Sequence, residues 1–431
     1  MKIAIVYPRA NIDTVPSLIG AAEELAAHGY DVDLFTYTQA GQPAPEFGSA
    51  RIRLRVLGTE GLVDHSTARL RRLVKRAGWL PSAARAPLAR GYQALGAGLA
   101  GGSRLAARAR VAMAERARLA VAERARGAVA EGSEPYACVI GVDPDGLTFA
   151  HGMARGAPLG YFSLELLLSY ELSTAADAQL KARERELSRQ AAFVVVQDEA
   201  RARLLADDNG LAWERLVLVP NAPPGPARRQ PTRYWHTRFN LPAEARVVIH
   251  SGSLGDWTGI EDIVDSAGDW PEPWVLVIHT RYEAESSGYV EALRRRADPR
   301  RVWFSLKPVR RQDYDALIDG ADVGLAFYVP TGASSFTGTN VGTIGLSSGK
   351  LAYYLRAGLP VIVNRAASIS AEVETAGAGV AVDHARALGA ALRHVATEYD
   401  AMSARACAFF DDRLAFGRAF VEVVRRVDAL R

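Results

Sequence analysis

Residues 342–364 read GTIGLSSGKLAYYLRAGLPVIVN, and this stretch decides the fold class. Ser347 or Ser348 is placed to cap a helix whose first turn holds Lys350. Gly358 ends that helix, and the proline two residues later introduces a short apolar strand. A helix that leads directly into a β-branched strand is typical of an α/β protein with a parallel sheet.

The same alternation of strands and helices continues on both sides of this stretch. Residues 220–231 contain five prolines, which stop any helix or central strand and divide the chain into two series. The sequence therefore predicts an α/β fold of two doubly wound, parallel-sheet domains that face each other across a cleft. The predicted strands are residues 2–7, 31–37, 137–142, 159–164, 193–197 and 216–219, then 246–250, 274–279, 302–305, 323–327 and 361–364.

Composition excludes several classes of protein. Of 431 residues, 49% are hydrophobic, which is enough for ordinary buried cores and excludes disorder over most of the chain. A net charge of +4 is too small for a protein that coats nucleic acid, so no nucleic-acid partner is expected. The only cysteines, Cys138 and Cys407, allow neither a disulfide framework nor a cysteine-built zinc site.

The sequence also indicates where in the cell the protein is expected. No signal peptide and no apolar run of about 18 residues is apparent, so we expect a cytoplasmic protein. The alanine- and arginine-rich composition is typical of a GC-rich bacterial genome.

Residues 62–132 stand out by charge. They carry 14 Lys and Arg against four Asp and Glu, and their pattern favours helices. We interpret them as a basic helical insertion in the first domain. One hypothesis is peripheral contact with an anionic membrane on its inner face. The alternative is a solvated cap over the cleft or a subunit contact, because charged helix faces are usually solvated.

The helix start near Lys350 is the best candidate for a phosphate site. A serine cap at Ser347 or Ser348, the first-turn amides from Gly349 onward and the lysine charge all favour the same anion. Two glycine-rich runs, residues 331–338 and 342–349, precede the helix, and long loops of this kind often serve a ligand. The alternative is a capped surface helix with a solvated lysine.

A second glycine-rich loop, residues 250–259, reads HSGSLGDWTG. It leaves a predicted strand and enters a helix, and Gly252, Gly255 and Gly259 let the backbone approach a ligand. The spacing is neither the dinucleotide fingerprint nor a P-loop. A plain tight turn explains the glycines equally well.

Candidate residues in the first domain follow predicted strands. Two facing sheets can hold two reactants, which suits transfer of a group from a donor to an acceptor. Asp143 and Glu165 could orient a hydroxyl of such an acceptor or accept its proton. The alternatives are helix capping for Asp143 and a surface charge for Glu165. Arg9 and Asn11, after the first strand, could reach an acceptor or a phosphate, or could close a turn. The scattered histidines have no metal-ligand spacing, so no metal is expected.

These residues resemble a known family. The block GKLAYYLRAGLPVIV, preceded by SGSLGDWTG and by VPNA at the domain junction, is similar to the GT-B glycosyltransferases, closest to the retaining, nucleotide-sugar-dependent family-four group. The resemblance implies two Rossmann-like domains: residues 1–220, which bind the acceptor, and residues 221–411, which bind the nucleotide sugar. It also implies that the last helix, about 412–431, packs back on the first domain.

By position, the resemblance implies specific roles. Lys350 would be catalytic at the phosphate-binding helix start. In the N-terminal domain the resemblance is weaker, and the assignment of Glu165 and Asp143 as catalytic and of Arg9 and Asn11 as acceptor-binding rests on their places after predicted strands. No cofactor is implied beyond the nucleotide diphosphate sugar as co-substrate. The implied donor-binding residues are Gly252, Ser253, Leu254, Arg281, Asn340, Ser347, Ser348, Gly349 and Tyr353.

Two departures qualify these roles. Gly345 and Tyr353 stand where many relatives carry two glutamates, and Ser253 and Thr258 replace an arginine and a lysine. The resulting expectation is a glycosyltransferase acting on a small-molecule, glycan or lipid-linked acceptor, in polysaccharide or secondary-metabolite synthesis. The alternatives are a non-catalytic nucleotide-sugar-binding or partner-supporting protein, and a pseudo-glycosyltransferase or epimerase on the same scaffold.

Overall fold

The computed structural model describes residues 1–39, 45–60, 135–280, 284 and 287–430. The predicted basic insertion, residues 62–132, and the predicted donor-binding Arg281 lie outside the described residues.

The described part of the N-terminal half forms a seven-stranded parallel sheet in the order β3-β2-β1-β4-β5-β6-β7. Its inner strands are buried because helices cover both faces, which is why they are almost uniformly apolar. Its strands are β1 Lys2–Tyr7, β2 Asp31–Gln39, β3 Ile52–Glu60, β4 Tyr136–Val142, β5 Leu159–Phe162, β6 Phe193–Val196 and β7 Leu216–Leu218.

The C-terminal half forms a six-stranded sheet, also parallel throughout, in the order β10-β9-β8-β11-β12-β13. Every residue of the inner strand β9 is buried. Its strands are β8 Arg246–Ser251, β9 Trp274–His279, β10 Val302–Ser305, β11 Val323–Ala326, β12 Val361–Asn364 and β13 Gly379–Val382.

Helices alternate with these strands along the chain. Those of the first half are α1 Pro16–Ala27, α2 Asp143–Met153, α3 Ala175–Ser188 and α4 Glu199–Asn209. Those of the second half are α5 Tyr234–Phe239, α6 Ile260–Ser266, α7 Gly288–Arg296, α8 Arg311–Asp319, α9 Thr339–Gly342, α10 Gly349–Arg356, α11 Ser370–Ala376, α12 Leu388–Thr397, α13 Tyr399–Arg413 and α14 Phe416–Asp428.

All eleven predicted strands are present, and two strands were missed. β3 alternates apolar residues with Arg53 and Arg55, so it is a half-exposed edge strand rather than a buried β-branched run. β13 is only four residues long and is likewise an edge strand, in the second sheet. The predicted two-domain parallel α/β fold is confirmed.

The last helix, α14, packs against α1, β6 and β7 of the first sheet. Phe416 lies so close to Gly20 of α1 that a Cβ on Gly20 would meet the ring at 2.7 Å. The chain therefore passes between the two halves twice, at the proline-rich segment and before this returning helix.

The order of the strands in each sheet indicates where a ligand would bind. In the first sheet the order reverses between β1 and β4, and in the second between β8 and β11. Ligands of doubly wound sheets bind outside the carboxyl ends of strands at such a reversal. In the described part of the chain, no helix combines the length and the apolar character needed to cross a bilayer.

Candidate active site

A cavity of about 430 Å³ lies between the two sheets, at both reversal points. One wall comes from the segments after β1 and β4, and the other from those after β8 and β11. Eleven of the predicted site residues line it: Arg9, Asn11, Asp143, Glu165, Gly252, Ser253, Asn340, Ser347, Ser348, Gly349 and Lys350.

Lys350 is the cation of the C-terminal wall. Ser348 caps α10, its Oγ accepting a hydrogen bond from the Leu351 amide at 3.2 Å. The Lys350 side chain is buried in the cavity wall, and its Nζ lies 4.8 Å from the centre of the Tyr328 ring. The Tyr328 hydroxyl shares a hydrogen bond with the Ser348 Oγ, so one tyrosine supports both the cap and the lysine.

The turn after β8 brings a second piece of backbone to Lys350. A Cβ added to Gly252, whose φ is +154°, would lie 3.7 Å from the lysine Cε. Burial first, and the Lys350 charge second, hold the pKa of His250 well below its ordinary value, so that this ring is neutral. Its Nε2 therefore carries the proton and donates to the Ser253 carbonyl at 3.2 Å, which fixes the turn.

Backbone amides at the cavity could add to the lysine charge. The Gly252 amide donates to the His279 carbonyl at 2.9 Å, so it belongs to the sheet. The Ser253 amide and the Gly349 amide, the latter at the first position of α10, have no protein acceptor within the described ranges. A helix N-terminus with a lysine beside it favours an anion such as a diphosphate.

The opposite wall is built around Asp143. This residue follows β4 with φ of +57°, a left-handed conformation that is costly for a residue with a side chain. Its Oδ1 accepts hydrogen bonds from the amides of Leu164 and Glu165, both at 2.9 Å. Its Oδ2 lies 3.2 Å from a guanidinium nitrogen of Arg9.

Burial and charge set the ionisation of this pair. Burial of the Asp143 side chain raises its pKa to about 6, and the Arg9 charge only partly opposes that rise. The Asp143 carboxylate, in turn, raises the pKa of Arg9 above its ordinary value. Asp143 is thus a carboxyl group that changes charge near neutral pH inside the cavity.

Glu165 adds a second carboxylate to this wall. Its Oε2 accepts a hydrogen bond at 2.6 Å from the Nδ2 of Asn340. Asn340 lies in α9, in the C-terminal half. Asn340 was predicted to bind the donor, but its described contacts are with Glu165, the Leu166 amide, the Phe336 carbonyl and Arg201. In this structure Asn340 joins the two halves.

Two further predicted site residues, and one position where relatives carry a glutamate, lie elsewhere. Tyr353 lines a second cavity of about 470 Å³ between the halves, beside Arg311 and Arg356. Leu254 packs against the hydrophobic cluster of the C-terminal sheet. Gly345 has φ of +41°, and a Cβ there would lie 2.3 Å from the Asp198 Oδ2, so a carboxylate of the N-terminal half occupies the space beside it.

Several lining residues were missed by the sequence reasoning, namely Tyr7, Thr14, Trp257, Tyr328, Phe336 and Asn221. Tyr328 follows β11 at its carboxyl end, and this position was the signal that could have identified it. Asn221 lies in the proline-rich segment, where its Nδ2 donates to the Ser347 carbonyl at 3.0 Å. Within the described ranges, no group of three or more His, Cys, Asp or Glu is arranged to hold a metal ion.

Comparisons with known proteins identify the scaffold. Residues 345–423 match the family described as Glucosyltransferase 3-like, C-terminal domain. No curated protein sequence matches the chain. Sucrose-phosphate synthase from Thermosynechococcus elongatus has a similar structure, with 16% identity, 100% of both chains covered and a TM-score of 0.62.

Two more solved structures are similar over nearly the same extent. HepE from Anabaena, in complex with UDP and glucose, has 14% identity, 100% of both chains covered and a TM-score of 0.63. A UDP-forming α,α-trehalose-phosphate synthase from Burkholderia vietnamiensis has 17% identity, with 99% of this chain and 98% of that chain covered and a TM-score of 0.59.

The predicted GT-B fold and the resemblance to GT-B glycosyltransferases are therefore confirmed. The chain has the fold of these enzymes, and its C-terminal domain resembles that of a glucosyltransferase family. Both findings agree with a glycosyltransferase that depends on a nucleotide sugar.

Proposed function

We propose that this protein transfers a glycosyl group from a nucleotide diphosphate sugar to a hydroxyl or amine acceptor in the cavity between its two sheets. One observation supports this most: the ammonium of Lys350 and the carboxylates of Asp143 and Glu165 line opposite walls of a single cavity. A cation suits the leaving diphosphate, and carboxylates suit a hydroxyl or amine. The similar HepE structure contains UDP and glucose.

The donor would lie along α10. Its diphosphate would contact Lys350, the Ser253 amide and the Gly349 amide. The nucleoside would extend toward the second cavity, where the Tyr353 hydroxyl would bond the ribose. A small pocket lies between the two cavities, since it shares Thr14 with the first and Arg311 with the second.

The chemistry breaks one bond and forms another. The bond between the anomeric carbon and the diphosphate oxygen breaks, and negative charge grows on that oxygen beside Lys350. The acceptor oxygen or nitrogen forms the new bond to the anomeric carbon, and its proton passes to the departing phosphate. Asp143 and Glu165 orient the acceptor by accepting its hydrogen bonds.

We further propose retention of configuration. The leaving phosphate is the group that takes the acceptor proton, so the acceptor approaches from the face that the phosphate leaves, and no protein nucleophile is needed. The products are a nucleoside diphosphate and a glycoside of the polysaccharide or secondary-metabolite type. The anomeric configuration of an isolated product, read by NMR, tests this point: an inverted centre excludes it.

A panel assay tests the function itself. Purified protein is incubated with the UDP, GDP, dTDP and CDP derivatives of common hexoses, with and without pooled sugar, alcohol and amine acceptors. We expect nucleoside diphosphate release from one donor class, accelerated by acceptor. Binding in a thermal-shift screen without any release would support a non-catalytic nucleotide-sugar-binding protein instead. Release followed by a rearranged sugar with no acceptor would support an epimerase.

For residues 62–132 we propose peripheral contact with anionic lipid, because each basic residue near an acidic leaflet contributes about 1 kcal/mol. Flotation with vesicles of neutral phosphatidylcholine and with vesicles containing phosphatidylserine tests it. We expect flotation only with the second kind. Equal flotation with the two kinds of vesicle would exclude contact with anionic lipid.

A further inference from the structure

Residues 335–347, here called the clasp segment, connect β11 to α10 in the C-terminal half. Ser335 donates to Asp177 at 2.9 Å, and the Thr339 amide donates to Glu171 at 2.9 Å. The Leu346 amide donates to the Asp198 Oδ2 at 3.1 Å. Each of these acceptors belongs to the N-terminal half, so the two halves share this segment.

Arg201, in the first turn of α4, is the central side chain of that contact. It is fully buried, and its guanidinium makes five hydrogen bonds. Two stay in its own half: the Nε bond to Gln197 at 3.0 Å and a bond to the Leu164 carbonyl at 2.8 Å. Three reach the clasp segment: the carbonyls of Asn340 at 3.1 Å and Thr343 at 3.3 Å, and the Asn340 Oδ1 at 2.9 Å.

This arrangement uses every donor of the arginine and pairs none of them with a carboxylate. Burial consequently lowers the pKa of Arg201 from its ordinary value. A buried cation bonded only to neutral oxygens is costly unless all its donors are satisfied. Its position therefore depends on the clasp segment staying in place.

The side-chain amide of Asn340 links Arg201 to the cavity. Its Oδ1 accepts from the Leu166 amide at 2.8 Å and from Arg201 at 2.9 Å. Since the oxygen is held on that side, the Nδ2 must point to Glu165 at 2.6 Å and to the Phe336 carbonyl at 3.1 Å. The Glu165 carboxylate is thus oriented by an amide from the other half.

We propose that Arg201 and Asn340 are positioning residues, which hold the Glu165 carboxylate at the acceptor side of the cavity only while the two halves are clasped. The proposal rests on the proposed function for the role of Glu165, but not for the clasp itself. Acceptor positioning then requires both halves, whereas the turn at residues 251–253 beside Lys350 is held by its own half alone.

Hydrogen–deuterium exchange, without any ligand, tests the clasp. In Arg201→Met we expect amides of the clasp segment to exchange about tenfold faster or more, because each lost hydrogen bond costs about 1 kcal/mol. Arg201→Lys should lie between this variant and the wild type, since an ammonium can satisfy some of the same oxygens. Arg203→Met, on the exposed face of the same helix, is the matched control and should exchange as the wild type does. Unchanged exchange in Arg201→Met overturns the clasp.

Asn340→Asp separates the clasp from Glu165. The new side chain still accepts from the Leu166 amide and Arg201, but it presents a carboxylate to Glu165 in place of a donor. With UDP-glucose as donor and UDP release as the signal, we expect kcat lowered about tenfold and KM for UDP-glucose within about twofold. Exchange in the clasp segment should rise less than in Arg201→Met, because only the bond to the Phe336 carbonyl is lost within that segment. A kcat of Asn340→Asp equal to that of the wild type would overturn the positioning role of Asn340.

If the wild type releases no UDP, the proposed function fails for this donor, and a crystal structure of Asn340→Asp decides the positioning. We then expect the Glu165 carboxylate to be turned away from residue 340. An unmoved carboxylate overturns the proposal, whatever the activity.

Discussion

The two loops that border the Lys350 side chain are held in different ways. Residues 251–253 are fixed within their own half, through the Ser251 amide on the Tyr354 hydroxyl, the Ser251 hydroxyl on Tyr314, and His250 on the Ser253 carbonyl. The clasp segment is fixed mainly by the N-terminal half, through Arg201, Glu171 and Asp198. The side of the Lys350 site formed by residues 251–253 is therefore preformed within one half, whereas the clasp segment and the Glu165 side are assembled from both halves.

This difference matters for group transfer. A nucleotide sugar bound before the acceptor is oriented would meet water, which competes as an acceptor. If acceptor positioning depends on the contact between the halves, a variant can lose transfer while it keeps donor binding. The predictions below use this separation, from the largest expected effect to the smallest.

Lys350→Ala tests the preformed side. We expect turnover to fall about 100- to 1,000-fold, because removing one preorganised group that stabilises the leaving charge costs about 2.7–4 kcal/mol. The fold should stay intact, as shown by an unchanged circular dichroism spectrum. Lys307→Ala, an exposed lysine of the same half, is the control and should keep full turnover. Near-normal turnover in Lys350→Ala removes this residue from the mechanism.

Gly345→Ala and Gly252→Ala compare the clasp segment with the turn at residues 251–253. At Gly345 the new Cβ would lie 2.3 Å from the Asp198 carboxylate of the other half, whereas at Gly252 its nearest neighbour is Lys350 Cε at 3.7 Å. We expect Gly345→Ala to lower the free energy of unfolding by about 2 kcal/mol, from backbone strain and the displaced carboxylate, and to speed exchange in the clasp segment. In Gly252→Ala, exchange of that segment should not change. Denaturant unfolding and exchange measure both, and faster exchange in both variants would contradict the separation.

Asp143→Asn tests the pH dependence. In the wild type, transfer should increase as pH rises through about 6, because ionised Asp143 is the better hydrogen-bond acceptor. The variant should lose about tenfold in turnover and show no such rise. Since burial raises the folded pKa above the ordinary value of 3.8, the contribution of Asp143 to stability is present below about pH 4 and is lost as pH rises through about 6. Rate profiles and unfolding from pH 4 to 8 measure both effects, and identical profiles for the two proteins exclude Asp143.

Tyr353→Phe should have the smallest effect. Loss of one hydroxyl at the second cavity removes a hydrogen bond of about 1 kcal/mol to the ribose, so we expect KM for the donor to rise about fivefold with kcat unchanged. Tyr289→Phe, on α7 away from both cavities, is the control. An unaltered KM places the ribose elsewhere.

The parts that could be predicted from the sequence are those with local signals. Buried strands show as β-branched runs, and the start of α10 shows as a serine cap followed by Lys350. The arginine-containing edge strand β3 lacked the first signal and was missed. The fold could be predicted from pattern and resemblance, and so could the presence of Lys350, Asp143 and Glu165 at the cavity.

The contact between Arg201 and the clasp segment could not be predicted from the sequence, as a comparison of two arginines shows. Arg201 and Arg203 lie two residues apart on the same helix and have almost the same sequence context. Arg203 is exposed and pairs with Glu199 on its own helix, whereas Arg201 is buried against Asn340, 139 residues further along the chain. The helical period places Arg201 on the same face of α4 as the buried Leu205, but only the tertiary fold brings Asn340 to that face. No local pattern could therefore identify the partner of Arg201.

A crystal structure of the protein soaked with UDP tests the central claim most directly. We predict the diphosphate at the start of α10, with its oxygens about 3 Å from the Lys350 ammonium and from the Ser253 amide. The clasp segment and Glu165 should keep the positions described above. A diphosphate bound away from Lys350, or UDP confined to a site outside the cavity between the two sheets, would contradict the account.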